Sequence, residues 1–206
     1  MKKRMALLAL CAALVLALCG CAGKNPYEGV PNPVATILMD DGSVMTAELY
    51  LNVAPNTVSN FVELANSGFY DGLTIHRILP GVLIQTGDPT GRGSGGADHT
   101  IRGEFTENGF ENNLSHTRGV LSMSRLSSDY NSASSQFFIM QGSYPQDYDG
   151  KYAAFGKLTG DSSYSVLDEL ASTPTDANGK PLVEHRVSTI RVDTFGYKYT
   201  TKKIKK

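Results

Sequence analysis

From residue 34 to residue 195 the chain is cut into short strand-like runs separated by turn residues, and only two stretches have helical spacing. "VATILM" and "SVMTAELY" flank "DDG", the pattern of a hairpin with an Asp-Gly turn. "LTIHRIL", "VLIQTG", "HTIRGEF", "GVLSMSR", "QFFIMQ" and "YAAFGKL" follow as further runs rich in strand formers, and "HRVSTIRVDTF" alternates apolar and polar residues as a closing strand should. The first helix is expected in "APNTVSNFVELANSG": Pro55 suits its first turn, Val58, Phe61, Val62 and Ala65 form an apolar stripe, and Gly68 suits its C-terminal end. A second is expected in "SYSVLDELAS", with Ser162 or Ser163 as N-cap and Val166, Leu167 and Leu170 facing inward. Many short strands and two helices predict a mainly β fold, a closed barrel with helices over its ends. The helices do not alternate with strands and no repeat is present, which excludes a doubly wound sheet and a solenoid.

The residues before this region tell a different story. "MKKRMALLALCAALVLALCGC" places Lys2, Lys3 and Arg4 before an apolar run, Met5 to Leu18, the layout of a secretory signal that is removed. Leu18-Cys19-Gly20-Cys21 resembles the bacterial lipobox; an ordinary signal peptide that contains cysteines is the alternative. No cysteine follows Cys21, so a disulfide framework is excluded and a lipidated Cys21 gives the lone thiol a use. The expected organisation is a signal over 1–20 and a lipidated N-terminus with a Pro/Gly-rich tether over 21–33. A domain over 34–196 and a basic tail over 197–206 complete it, lipid-anchored on the outer side of a cell membrane. The tail carries five lysines in its last nine residues and reads either as a frayed, solvated end or as a contact for anionic lipid. A net charge of −1 provides no global basic field for nucleic acid.

Few residue patterns point to chemistry. "GRGSGG" (91–96) lacks the Lys-Ser or Lys-Thr and the following helix of a phosphate cradle. His76, His99, His116 and His185 have no metal-ligand spacing and no Gly-x-Ser-x-Gly elbow occurs, so neither a metal nor another cofactor is expected. Two features remain. Arg77 sits in the otherwise apolar "TIHRILPGVLIQTGD", either facing solvent or pointing, as a permanently charged fork of donors, across a concave apolar surface. In "SASSQFFIM", Phe137 and Phe138 must lie on opposite faces of a strand, so that one fills a core while the other faces something else.

Taken together, "FVELANSGFYDGLTIHRILPGVLIQTGDPTGRGSGG", "RGVLSMSR", "NSASSQFFIM" and "DGKYAAFGKL" resemble the cyclophilin-type peptidyl-prolyl cis-trans isomerases, in the family's order, over about residues 34 to 195. The resemblance implies an eight-stranded closed antiparallel barrel capped by two α-helices, with a shallow peptide groove on its outside. It implies that Arg77 is catalytic, beside His76; that Gln85 lines the groove; and that Phe138 floors a proline pocket, with Gln136 its polar neighbour and Leu83 in its wall. Met123, Ser124 and Arg125 fall on the edge that holds the peptide backbone. Val82 stands where the family has phenylalanine, Tyr148 where it often has Trp or Leu, and Tyr152 where a histidine is common. These departures imply a roomier pocket, lower turnover and weak cyclosporin binding. The implied function is isomerisation of X-Pro bonds in exported, unfolded proteins by a monomer, with a peptide-holding chaperone of little turnover as the alternative.

Overall fold

The first hairpin forms as its pattern dictates. β1 (Val34–Met39) and β2 (Val44–Leu49) pair antiparallel, with Ile37 opposite Met45, and Ala35, Ile37, Met39, Met45, Ala47 and Leu49 all face the core. Gly42 takes the left-handed conformation the turn needs (φ +86°), and the Ser43 N–H donates to Asp41 Oδ1 at 2.8 Å. The computed structural model describes residue 27 and residues 29–205. The expected signal peptide and Cys21 lie outside the described residues. The chain divides at Val30/Pro31, and all that follows concerns Pro31–Lys206.

The remaining strands of the main sheet are β3 (Arg77–Leu79), β4 (Leu83–Thr86), β6 (Val120–Met123), β7 (Phe137–Met140), β8 (Ala154–Thr159) and β9 (Val187–Asp193). With β5 (His99–Ile101) set apart, the eight strands run in the order β3-β4-β7-β6-β8-β2-β1-β9, every neighbour antiparallel. This is a curled, half-barrel sheet. The edge strands β3 and β9 do not pair along their length; the segments preceding them do the stitching. Thr74 bridges Arg186, the Ile75 N–H donates to the His185 carbonyl at 2.9 Å, and the Val187 N–H to the Leu73 carbonyl at 2.8 Å.

Helix α1 (Pro55–Asn66) begins on Pro55 without a side-chain cap of its own. Glu104 supplies one from the connection after β5: its carboxylate accepts the N–H of Asn56 at 3.0 Å and the N–H and hydroxyl of Thr57 at 2.7 Å each. At the other end Gly68 (φ +80°) donates to the Ala65 carbonyl and Phe69 to that of Leu64, the paired bonds of a Schellman stop. Phe61 carries the helix into the core, its ring 5.1 Å edge-on from Phe137 and 5.4 and 5.2 Å from Tyr70 and Phe155.

Two expectations fail here. The helix at "SYSVLDELAS", which follows the one-turn α2 (Pro145–Tyr148) and is therefore α3 (Asp161–Ala171), starts after Gly160 and has no serine cap. Ser163 lies inside it, buried, because its hydroxyl accepts the Thr46 N–H at 2.9 Å and ties the helix to β2. The basic tail is not frayed either. β10 (Lys203–Lys205) pairs antiparallel with β5. Ahead of it Thr201 N–H donates to Glu63 Oε1 and Lys202 N–H to Asn56 Oδ1, both at 2.7 Å. Polar groups of α1 thus recruit the tail, a demand invisible in its own composition.

Candidate functional site

The strand register builds the site. Arg77 pairs with Gln85, Gln85 with Phe138, Phe138 with Ser122 and Ser122 with Ala154, one row across β3, β4, β7, β6 and β8. Directly paired antiparallel residues project to the same side, so a cationic fork, an amide and an aromatic ring share one face. The next row, Thr86, Phe137 and Met123, projects to the other side, where Phe137 packs on Phe61 and Tyr70. Phe137 is therefore the core residue of the pair and Phe138 the one that faces outward. Met123, expected on the peptide-binding edge, shares the inner face of Phe137 and is 1 % exposed.

On the outer face Phe138 lies in an apolar patch with Leu83, Val120, Met140 and Ala154, against which Val82, Tyr148 and Tyr152 pack. Tyr148 and Tyr152 stand 5.6 and 5.7 Å from its ring, the latter edge-on, and 5.4 Å from each other. With these neighbours around it, Phe138 is only 3 % exposed.

Beside this patch runs a chain of donors with one direction. Arg77 is exposed and its Nη1 donates to Gln85 Oε1 at 3.4 Å. Gln85 Nε2 donates to Gln136 Oε1 at 2.9 Å and to Ser124 Oγ at 3.2 Å, and Gln136 Nε2 donates to the Gly95 carbonyl at 2.8 Å. A guanidinium only donates and a carbonyl only accepts, so the ends fix the orientation of both amides between them. The remaining N–H groups of Arg77 stay available above a groove of about 470 Å3. Arg125 lines the same groove in a fixed pose. Its Nε donates to the Lys151 carbonyl at 2.8 Å, and its guanidinium lies 4.9 Å over Tyr152 and 4.8 Å over Tyr130.

Two histidines back the site. His76, on the groove wall, has both ring nitrogens buried; burial, aided by the Arg77 charge, pushes its pKa down, against the pull of Asp88 and of Gln136 beside it. His116 lies under the floor, its ring 6.2 Å from Phe138 and nearly parallel to it. Its Nδ1 and its backbone N–H both meet Asp149 Oδ1 at 2.7 Å, and its Nε2 meets Ser122 Oγ at 2.9 Å. Burial pushes this pKa down too, against the upward pull of Asp149. A neutral ring that donates from Nδ1 to the carboxylate accepts the Ser122 hydroxyl at Nε2. Sequence reasoning passed over His116 and Asp149, although "DGKYAAF" contains the aspartate; only the fold brings residue 149 back to residue 116.

The glycine loop 91–96 is held from beneath by Asp88, which accepts the N–H of Thr90 at 2.7 Å and of Arg92 at 3.1 Å. A Cβ on Gly95 would run into that carboxylate, which accounts for the glycine without any phosphate. Among the described residues no three of His, Cys, Asp and Glu converge as metal ligands.

Comparison with known proteins agrees with this geometry. Residues 34–192 match the family model described as "Cyclophilin type peptidyl-prolyl cis-trans isomerase/CLD". Peptidyl-prolyl cis-trans isomerase B of Bacillus subtilis is 46 % identical over 122 residues, 59 % of this chain and 80 % of that protein. A putative bifunctional phosphatase/peptidyl-prolyl cis-trans isomerase of Streptococcus pyogenes is 37 % identical over 191 residues, 80 % of this chain but 40 % of that longer protein. A Cryptosporidium parvum cyclophilin type peptidyl-prolyl cis-trans isomerase, crystallised in the presence of the dipeptide Ala-Pro, superposes with a TM-score of 0.66 at 32 % identity, over 78 % of this chain and 98 % of that one. With its sheet, its matched span and its relatives in accord, the chain belongs to the cyclophilin-type peptidyl-prolyl cis-trans isomerases.

Proposed function

We propose that the groove isomerises X-Pro bonds of exported proteins, with Arg77 as the catalytic residue. The observation that carries this is the one-way donor chain that starts at the Arg77 guanidinium, which keeps further N–H groups toward the groove beside the Phe138 patch. An X-Pro amide rotates slowly because partial double-bond character sets a barrier of roughly 18–20 kcal/mol. When the amide twists, the nitrogen lone pair leaves conjugation and becomes an acceptor. An N–H of Arg77 aimed at that nitrogen binds the twisted form more tightly than either planar one, the condition for catalysis. No proton moves, since the guanidinium stays charged. Gln85 steadies Arg77, and Gln136 steadies Gln85. Phe138, Leu83, Val82, Tyr148 and Tyr152 grip the proline ring while the preceding carbonyl swings, and Ser124 and Arg125 face the peptide backbone. A gain of about 10⁵ needs roughly 7 kcal/mol, within reach of one charged donor and an immobilised ring.

The test is cis-trans exchange of an Ala-Pro-Phe peptide followed by NMR, with the full chain in detergent. Arg77→Ala should lower kcat/KM by about 10²–10³, the scale of a lost transition-state donor, with peptide affinity changed far less. Equal exchange by both proteins would sink the assignment. The second reading, a holder of proline segments with little turnover, is favoured by the near-complete cover of Phe138. It predicts peptide binding by both proteins and acceleration by neither. Val82 and Tyr148 support weak cyclosporin binding on either reading.

Location rests on Leu18-Cys19-Gly20-Cys21, which supports a lipid on Cys21 and work outside the cytoplasm. Metabolic labelling with palmitate should mark the chain and be lost in Cys21→Ser; label that persists in the variant would refute the anchor.

A further inference from the structure

The groove is charged out of proportion to the chain. The whole sequence has a net charge of −1, yet the groove is lined by Arg77, Arg92, Arg125 and Lys180 against one carboxylate, Asp176. Its Oδ1 accepts the N–H of Asn178 at 2.8 Å and of Lys180 at 2.9 Å, closing its own loop, and its single charge, which also acts on Lys180, offsets at most one of the four cations. Elsewhere among the described residues the arginine side chains are engaged. Arg118, Arg186 and Arg191 each hold a carboxylate (Asp168, Glu184 and Asp71) at 2.6 Å, and Arg102 donates to the Asn108 carbonyl. Among the described residues, none of the four groove cations forms an ion pair.

The scaffold holds them there. The Arg92 backbone is fixed by Asp88, and Arg125 is clamped by the Lys151 carbonyl and two tyrosine rings. The loop that carries Lys180 is bonded to β3 beside Arg77, through the Ile78 N–H and the Gly179 carbonyl at 2.7 Å. Four like charges kept around one void repel each other, and an anion placed among them relieves that repulsion. The substrate is a polypeptide, so the anion on offer next to a proline is the carboxylate of Asp or Glu. Arg77 and Arg92 carry guanidinium forks suited to it, while Arg125, whose Nε and Nη1 already donate to the Lys151, Leu126 and Ser127 carbonyls, adds its charge.

We propose that the groove selects acidic proline segments, those with Asp or Glu within two residues of the proline. This rests on the isomerase reading above and adds its substrate class. The experiment uses the full chain and blocked peptides that differ only in carrying Glu, Gln or Lys one or two positions before proline, or one after. Each rate is normalised to the peptide's own uncatalysed exchange. At an ionic strength of about 0.01 M the best Glu peptide should exceed its Gln partner in kcat/KM by about five- to thirtyfold, the scale of several surface ion pairs acting together. The Lys peptide should fall below Gln. At about 1 M salt, where the Debye length is near 3 Å, the ratio should approach one. The double variant Arg92→Gln/Lys180→Gln should bring the low-salt Glu/Gln ratio below about threefold, whatever it does to either rate alone.

Turnover of every peptide with Glu and Gln within about twofold at all positions overturns the proposal and leaves the isomerase reading standing. A ratio unmoved by the double variant also overturns it. If no peptide is accelerated, the isomerase reading fails instead. Dissociation constants for the same peptides then decide the acidic preference, kept by tighter Glu binding and refuted by equal binding.

Discussion

Asp149→Ala should loosen the floor of the proline pocket from below, although residue 149 does not line the groove. The Asp149 carboxylate accepts three hydrogen bonds: from His116 Nδ1–H, the His116 backbone N–H and the Ser115 hydroxyl, each at 2.7 Å. Truncation leaves two donors of His116, a residue 1 % exposed, without their acceptor. A buried donor left unsatisfied costs about 1–3 kcal/mol. The Asp149 side chain is itself 37 % exposed, so water can enter and satisfy part of the loss. About 3 kcal/mol is therefore the expected total, which for a domain of this size lowers Tm by roughly 6–12 °C. Asp149→Asn keeps a carbonyl oxygen for the two His116 donors and should cost less than half as much. The chain from Asp149 through His116 to Phe138 adds an activity signature: KM should rise several-fold in Asp149→Ala while kcat, set at Arg77 on the proposed mechanism, changes less. Calorimetry and NMR exchange measure both. Equal losses in the Ala and Asn variants would refute the hydrogen-bond account and leave charge as the cause. A drop in Tm below about 2 °C would mean that the three bonds are idle.

Acid should destabilise the fold through His76 and His116. Burial depresses both pKa values, so between the unfolded value near 6.5 and the lower folded values the unfolded chain binds more protons, and stability falls with pH at up to about 1.4 kcal/mol per unit for each ring. Denaturant midpoints from pH 8 to 5 should show this slope, and His76→Gln should remove about one proton's share of it; an unchanged slope would mean that His76 is protonated freely in the native state. Deleting residues 201–206 strips β5 of its partner and Glu63 of the Thr201 N–H and the Lys203 ammonium, the latter at 3.3 Å. A loss of about 1–3 kcal/mol should follow, with faster amide exchange across His99–Ile101, and a deletion without either effect would return the tail to the frayed state expected from its lysines.

The parts of the fold legible in the sequence are those whose cause is local. The Asp41-Gly42 turn, the Pro55 start and Gly68 stop of α1, and the alternation in β9 each need only neighbouring residues, and each forms where its pattern lies. The misses share the opposite property. Ser162 and Ser163 are both good local acceptors for a cap, but neither caps the helix, and the Thr46 N–H, 117 residues away, engages the Ser163 hydroxyl. Glu104 caps α1 from 47 residues downstream, and β10 docks on groups of α1 more than 130 residues before it. Local propensity cannot foresee a hydrogen bond whose partner is chosen by the tertiary fold.

The site divides along the same line. Alternation alone required Phe137 and Phe138 to part company, but only the α1 side of the sheet, where Phe61 and Tyr70 wait, decides which of them becomes core. The same register that turns Phe138 outward turns Met123 inward, because Met123 pairs with Phe137 rather than with Phe138. Family resemblance brought Met123 into the groove as part of a contiguous "MSR" edge, whereas a strand delivers only every second residue to one face. Ser124 and Arg125 escape that rule because β6 ends at Met123, and beyond a strand's end consecutive side chains are free to lie on the same side. That edge of the groove is therefore made where the strand stops, and this is also where Arg125, the most firmly held of the groove cations, enters the groove.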